Sequence, residues 1–352
     1  MRSDARNGVF AAVALCLAVY VYSGGNPLQG VMAQTRLQGD DAAAAGDLDV
    51  IQLRPNVYMI AGAGGNIAVQ TGQDGAVVVD SGSAAMGDLV ASTIRRLSEQ
   101  PIRYVINTSA EPDHVGGNVA VSKAGQTLFT LTGAGAAGSA AGLDGLTNGG
   151  AAAIVAAEGV IARMSAPTGR VAAFPTSAWP TESFSHARHT MFLNGEGIEI
   201  LHQPAAHSDG DSIVFFRRSD VIVAGDILNT TTLPMIDVEK GGSIQGELDA
   251  LNRLIDMAIP SIPIVSRDAG TYVIPGHGRV FDHFDLVDYR DMVTIIRDRI
   301  RDLADAGMTL EQIQASSPAR GYMRQYGATS GSWTTDMFVE AVYKTLPRET
   351  SQ

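Results

Sequence analysis

Only one cysteine occurs in the 352 residues, Cys16, and it lies inside an apolar run from Val9 to Tyr22. If that run is removed on export, the remaining chain has no disulfide, no cysteine-ligated zinc and no cysteine nucleophile. Any metal must then be held by histidine and carboxylate. Charge is also sparse: 18% of residues are charged and 45% are hydrophobic, which excludes a disordered chain and leaves ample material for a core. Basic residues are outnumbered, 25 Lys and Arg against 37 Asp and Glu. The formal net charge of -12 argues against a nucleic-acid partner, because phosphate binding calls for a basic surface.

Arg2 and Arg6 precede the apolar run, whose length suits the core of a signal peptide and is short for a membrane span. Val31-Met32-Ala33 supplies small residues before Gln34, a cleavage pattern. Residues 1–33 are therefore expected to be a signal peptide or, given the long spacer from Ser23, an N-terminal anchor. Both readings place the rest of the chain in the periplasm or outside the cell, with membrane contact only through such an anchor. Leu15 stands where a lipoprotein signal wants a small residue, which argues against lipidation of Cys16. Residues 34–50 are polar and alanine-rich and read as a linker.

Short apolar segments separated by glycine-rich turns follow. Val57–Ile60, Ile67–Thr71, Ala76–Val79 and Tyr104–Ile106 read as strands, and Met86–Leu97 has helical spacing. Residues 133–153 are almost entirely Gly and Ala and read as a flexible insertion, with a helix expected over Ala152–Met164. Asn194-Gly195 between Arg188–Leu193 and Ile198–His202 is a hairpin signal. Ile213–Phe216, Val221–Ala224 and Tyr272–Ile274 are further strands, and Leu248–Met257 a helix. The tail is helical over Leu286–Leu303 and Thr334–Leu346, with a capping-box pattern at Thr309 and Gln312. The order implies a mixed α/β fold with histidines at strand ends.

Three of the seven histidines fall at strand-to-loop junctions. His114 lies in Ser109-Ala110-Glu111-Pro112-Asp113-His114-Val115-Gly116-Gly117, His207 in Ala206-His207-Ser208-Asp209-Gly210-Asp211, and His277 in Pro275-Gly276-His277-Gly278. Asp226 ends a fourth strand in Ala224-Gly225-Asp226. Loops at strand ends can gather distant side chains without disturbing a core, and imidazole with carboxylate suits zinc or iron. Read locally, Asp113 is also a helix-cap candidate, Asp209 and Asp211 are loop-holding residues, and Asp80 is structural or supports a ligand. His186, His189, His202 and His283 lack such context and read as surface or satisfied strand residues. Trp179 and the Gly/Ala stretch read as solvated loop, with a lid as the alternative.

The segments around residues 113, 207, 226 and 277 resemble, in order and spacing, the metallo-β-lactamase superfamily from about Val57 to Val280. Its first motif runs His-x-His-x-Asp-His-x-Gly-Gly. Here the Asp-His-x-Gly-Gly half stands intact, while Ser109 and Glu111 replace the two leading histidines. The resemblance implies a four-layer αβ/βα sandwich over residues 51–282 with a C-terminal helical extension over 283–352.

It also implies a second metal site of Asp113, His114 and His277, with Asp226 bridging or completing it. The first site is depleted to Glu111, His207 and a share of Asp226, because a serine hydroxyl keeps its proton and ligates poorly. The implied function is an exported metal-dependent hydrolase acting on a small-molecule substrate. One zinc ion activates water for attack on an ester, amide or lactone, with Asp113 and Glu111 as the catalytic carboxylates. Alternatives are a dinuclear enzyme that still uses Glu111 and His207, iron in place of zinc, and a degenerate binding protein without catalysis.

Overall fold

The computed structural model describes residues 48–128, 150–262 and 270–347. The expected signal or anchor, nearly all of the linker and most of the Gly/Ala stretch lie outside the described residues. The described residues all fall within one compact unit, residues 34–352.

The chain opens with β1 (Asp49–Arg54), β2 (Val57–Ala63), β3 (Gly65–Gly72), β4 (Gly75–Val79), α1 (Gly87–Leu97) and β5 (Ile102–Asn107). Two short helices follow, α2 (Pro112–Val115) and α3 (Asn118–Lys123), then β6 (Ala153–Ala157) and α4 (Glu158–Ser165). A small ribbon of β7 (Pro167–Thr168) and β8 (Val171–Ala172) precedes β9 (Glu182–Phe184). Then come β10 (Arg188–Leu193), β11 (Glu196–Gln203), β12 (Asp211–Phe216), β13 (Val221–Asn229), α5 (Ile244–Met257) and β14 (Tyr272–His277). The tail holds α6 (His283–Asp305), α7 (Leu310–Ser316), α8 (Met323–Tyr326) and α9 (Thr335–Thr345).

Two mixed sheets result, ordered β1-β2-β3-β4-β5-β6-β9 and β10-β11-β12-β13-β14. The period-2 alternation of strands sorts their side chains into layers. In β4, Val77 and Val79 face the second sheet, where they meet Ile198, Val214 and Val223. Ala76 and Val78 face outward onto Val90 and Ile94 of α1 and Val121 of α3. In β13, Val221 and Val223 join the core between the sheets, while Ile222 and Ala224 pack under α5 and α6. The outcome is an αβ/βα sandwich with a helical extension, as the resemblance implied.

Asparagines tie the two sheets at both ends. Asn194 and Gly195 both take positive φ (57° and 67°), as a tight hairpin turn demands, and Asn194 Nδ2 donates to Gly75 O at 2.9 Å. Asn66 of β3 donates to Pro275 O (2.9 Å) and Gly278 O (3.0 Å), on either side of His277.

Two expectations are corrected. Ala152–Met164 is not one helix: Ala153–Ala157 is a strand paired in parallel with β5, and the helix begins at Glu158. A buried parallel strand and a buried helix both read as an unbroken apolar run, so periodicity could not separate them. The strand through Asp226 does not end there but continues to Asn229, with register shifts around Gly225, whose φ is +56°. The capping box of Thr309 and Gln312 forms as expected. No helix among the described residues is long and apolar enough to cross a membrane.

Candidate metal centre

Four segments meet at one end of the two sheets. β5 delivers Asn107-Thr108-Ser109 and then turns into α2, whose N-cap is Glu111, with Pro112 at its first position. Asp113 therefore does not cap the helix; it sits in the first turn with its carboxylate about a third exposed, facing His277. His114 is one residue further, fully buried. Glycine is required at 117, where a Cβ would lie 2.1 Å from the Ser81 carbonyl oxygen. The Gly-Gly pair thus lets the short helices press against the turn after β4.

Asp113, His114 and His277 each offer a ligand atom within 4.8 Å of the others. His277 Nε2 stands 3.3 Å from Asp113 Oδ2 and 3.6 Å from Asp226 Oδ1. His114 Nε2 lies 3.0 Å from the same Asp226 oxygen yet makes no hydrogen bond. The other nitrogen of His114, Nδ1, is 2.7 Å from Asp80 Oδ2. Asp80 also accepts from Thr108 N (2.8 Å) and Thr108 Oγ1 (2.7 Å) and is itself buried. It holds the imidazole in the orientation that aims Nε2 into the site, a common way of orienting a metal-ligating histidine.

Electrostatics favour a cation at this point. Burial pulls the His114 imidazole down, but the carboxylates of Asp226 and Asp80 outweigh it and hold it well above its ordinary value. His277 is raised to about 9 by the carboxylates of Asp113 and Asp226 beside it. His277 in turn holds Asp113 below the usual carboxylate range. Burial pushes Asp226 up, yet His114 and His277 hold it well below that range. A proton on imidazole and a metal ion satisfy the same field. The buried Nε2 of His114, which makes no hydrogen bond and has the Asp226 oxygen at 3.0 Å, fits a metal ion.

The other candidate ligands stand differently. His207, in the turn between β11 and β12, is buried with Nδ1 3.0 Å from Met235 O, and its Nε2 has no hydrogen bond. That Nε2 is 3.5 Å from Glu111 Oε1. Burial pulls His207 down, but Glu111 and the surrounding carboxylates raise it to about 10. Ser109 makes no ligand-like contact; its hydroxyl donates to Asp226 Oδ2 at 2.8 Å. Asp211 holds the His207 turn by accepting from Ser208 N and Oγ, whereas Asp209 pairs with Arg163 instead. His202 and His283 are satisfied by backbone carbonyls, and Trp179 Nε1 donates to Phe174 O beside α4.

One residue was missed by the sequence reading. Lys240 Nζ lies 2.5 Å from Glu111 Oε1, across 129 positions of sequence. The His207 imidazole beside it, more than Lys240, holds Glu111 below its ordinary value. A carboxylate in place of a family histidine calls for a cation, and that was the available signal.

The sequence model of the metallo-beta-lactamase superfamily matches residues 60–128, the stretch from β2 through the Asp-His-x-Gly-Gly motif. A stereoselective inverting sec-alkylsulfatase from Pseudomonas sp. is similar in structure, with a TM-score of 0.54 and 14% identity over 84% of this chain and 50% of that one. A double mutant of a sec-alkyl sulfatase gives the same score and identity over 76% and 45%. The chain spans about half the length of these sulfatases. A metallo-β-lactamase from Pontibacter korlensis aligns over 70% of this chain and 99% of its own, with 16% identity and a TM-score of 0.48. No curated protein sequence matches. The sulfatase likeness carries the fold alone, and the superfamily match over residues 60–128 is consistent with a metal-dependent hydrolase.

Proposed function

We propose that the chain is an exported metal-dependent hydrolase that works with one metal ion, held by Asp113, His114 and His277 with Asp226 as a further ligand. The observation that carries this reading is the buried Nε2 of His114, which makes no hydrogen bond and faces Asp226 beside Asp113 and His277. Two histidines with carboxylates are a donor set for zinc, with ferrous iron as the alternative. When bound, the ion supplies Lewis acidity and activates water for attack on an ester, amide or lactone.

The chain's own residues set up that step. Asp80 fixes the tautomer and tilt of His114 through Nδ1. Ser109 holds one oxygen of Asp226 and leaves the other to face His114 and His277. Asp113, partly exposed on the open side, is placed to accept a proton from the attacking water. Glu111 has its Oε1 engaged by Lys240 and His207, so we assign the base role to Asp113 and an orienting role to Glu111. The export reading is supported by the basic residues and apolar run before Gln34.

The test is metal content per chain, followed by a hydrolase screen. One equivalent of zinc or iron, lost in Asp113→Ala and His277→Ala, is expected, with turnover of at least one ester, amide, lactone or sulfate-ester substrate. Sulfate esters join the screen because of the alkylsulfatase likeness. No metal after reconstitution with zinc, iron and manganese sinks the reading and leaves a binding protein without catalysis. Two equivalents restore the dinuclear alternative.

A further inference from the structure

Lys240 reaches Glu111 on a turn built for that purpose. Asp237 caps the single turn Val238–Lys240, its carboxylate accepting from Lys240 N, and its Oδ2 lies 3.1 Å from Lys240 Nζ. Asp237 N donates to His207 O and Asp209 N donates to Lys240 O, both at 2.9 Å. A Cβ at Gly242 would stand 2.2 Å from the same His207 carbonyl oxygen. The lysine turn is therefore pressed onto the backbone of His207.

Its ammonium lands on the oxygen a metal would need. Glu111 Oε1 and His207 Nε2 are 3.5 Å apart, a separation that suits two ligands of one ion at bond lengths of about 2.1 Å. The same Oε1 receives Lys240 at 2.5 Å. His207 Nε2 is buried, Glu111 is 17% exposed and Lys240 34%, so a metal ion and the ammonium would repel each other in a partly buried space.

We propose that the Lys240 ammonium is a resident cation that takes the place of a second metal ion, so that Glu111 and His207 form a latent metal site closed by a lysine. The proposal rests on the metal-hydrolase reading of the neighbouring Asp113, His114 and His277. It makes the number of metal ions bound a property of one side chain 129 residues away in sequence from Glu111.

The experiment is zinc titration by calorimetry of the full chain stripped of metal, with elemental analysis after dialysis. Wild type is expected to bind one equivalent, Lys240→Met two, and Lys240→Arg one. Lys240→Gln serves as a second neutral variant if Lys240→Met fails a circular dichroism test of folding. A neutral variant that stays at one equivalent overturns the proposal while leaving the hydrolase reading intact. Two equivalents in wild type also overturn it, without recourse to any variant. No zinc in any of these proteins overturns the hydrolase reading, and the proposal falls with it.

Discussion

The Ser109 hydroxyl donates to Asp226 Oδ2 at 2.8 Å, in the position where the family motif has its first histidine. The serine has changed the role of that position from contacting an ion to restraining a carboxylate. Asp226 is 9% exposed and shares its other oxygen between His114 and His277. Ser109→Ala is therefore expected to leave metal stoichiometry unchanged while lowering stability by about 1.5–3 kcal/mol, the cost of one buried charge-assisted hydrogen bond. Urea unfolding of the metal-free chain, beside elemental analysis, checks both halves. Loss of the ion in this variant would make Ser109 a ligand after all.

Asp80 contacts no open part of the site, yet it accepts from both Thr108 and His114. Asp80→Asn keeps the shape and tolerates the positive φ of 64° at this position. It presents an amide to groups that need acceptors. Metal affinity is expected to fall roughly 10–100-fold, as for other lost partners of ligating histidines. Competition against a chromophoric chelator reads this directly, and an unchanged affinity would confine Asp80 to a structural role.

Protons and metal compete for the same imidazoles, so affinity depends on pH with a definite sign. The His277 pKa is raised from 6.5 to about 9 in the folded chain, so below that value the ring carries a proton that must leave before a metal binds. Zinc affinity is expected to rise as pH increases toward about 9 and then level off. In the metal-free chain the raised pKa works on stability. The stabilising contribution of His277 is fully present below its ordinary value of 6.5 and is lost as pH rises through about 9. Calorimetric titration in buffers of different ionisation enthalpy counts the protons released, and a count of zero would contradict the electrostatic account.

Gly117 admits no side chain. A Cβ there would meet the Ser81 backbone oxygen at 2.1 Å, and neither neighbour is a flexible side-chain tip that could move aside. Gly117→Ala is expected to cost about 3 kcal/mol, at the upper end for overpacking because backbone must shift. A thermal melt of the variant with metal removed measures it without involving the ion. A loss below about 0.5 kcal/mol would show that α2 and the turn after β4 are looser than their packing implies.

Much of this arrangement was legible from residue types. Asp113-His114 before Gly116-Gly117, and Gly276-His277-Gly278, mark themselves because candidate ligands and close backbone approaches leave few substitutes. Asn194-Gly195 announced its hairpin through the positive φ that both residues tolerate. Ala153–Ala157 was misread because alanine and valine in an unbroken run serve a buried strand and a buried helix alike. Lys240 was invisible for another reason: its partner is distant in sequence, and the turn that carries it has no motif beyond an aspartate and two glycines. Local chemistry is written in local sequence, whereas a tertiary ion pair appears only when the loops are placed.

His277 sits at the end of β14, and the Asn66 amide from the other sheet binds the carbonyls of Pro275 and Gly278 on either side of it. One side chain thus couples the spacing of the two sheets to the position of a single imidazole. Close-packed cores transmit strain over many residues, so a substitution such as Val214→Ala in the core between the sheets is expected to change the spacing of the proposed ligands before the fold itself gives way. The proposed metal centre would in this sense be a vernier for the alignment of the sandwich, its affinity reporting small slips between the sheets that a melting curve averages out.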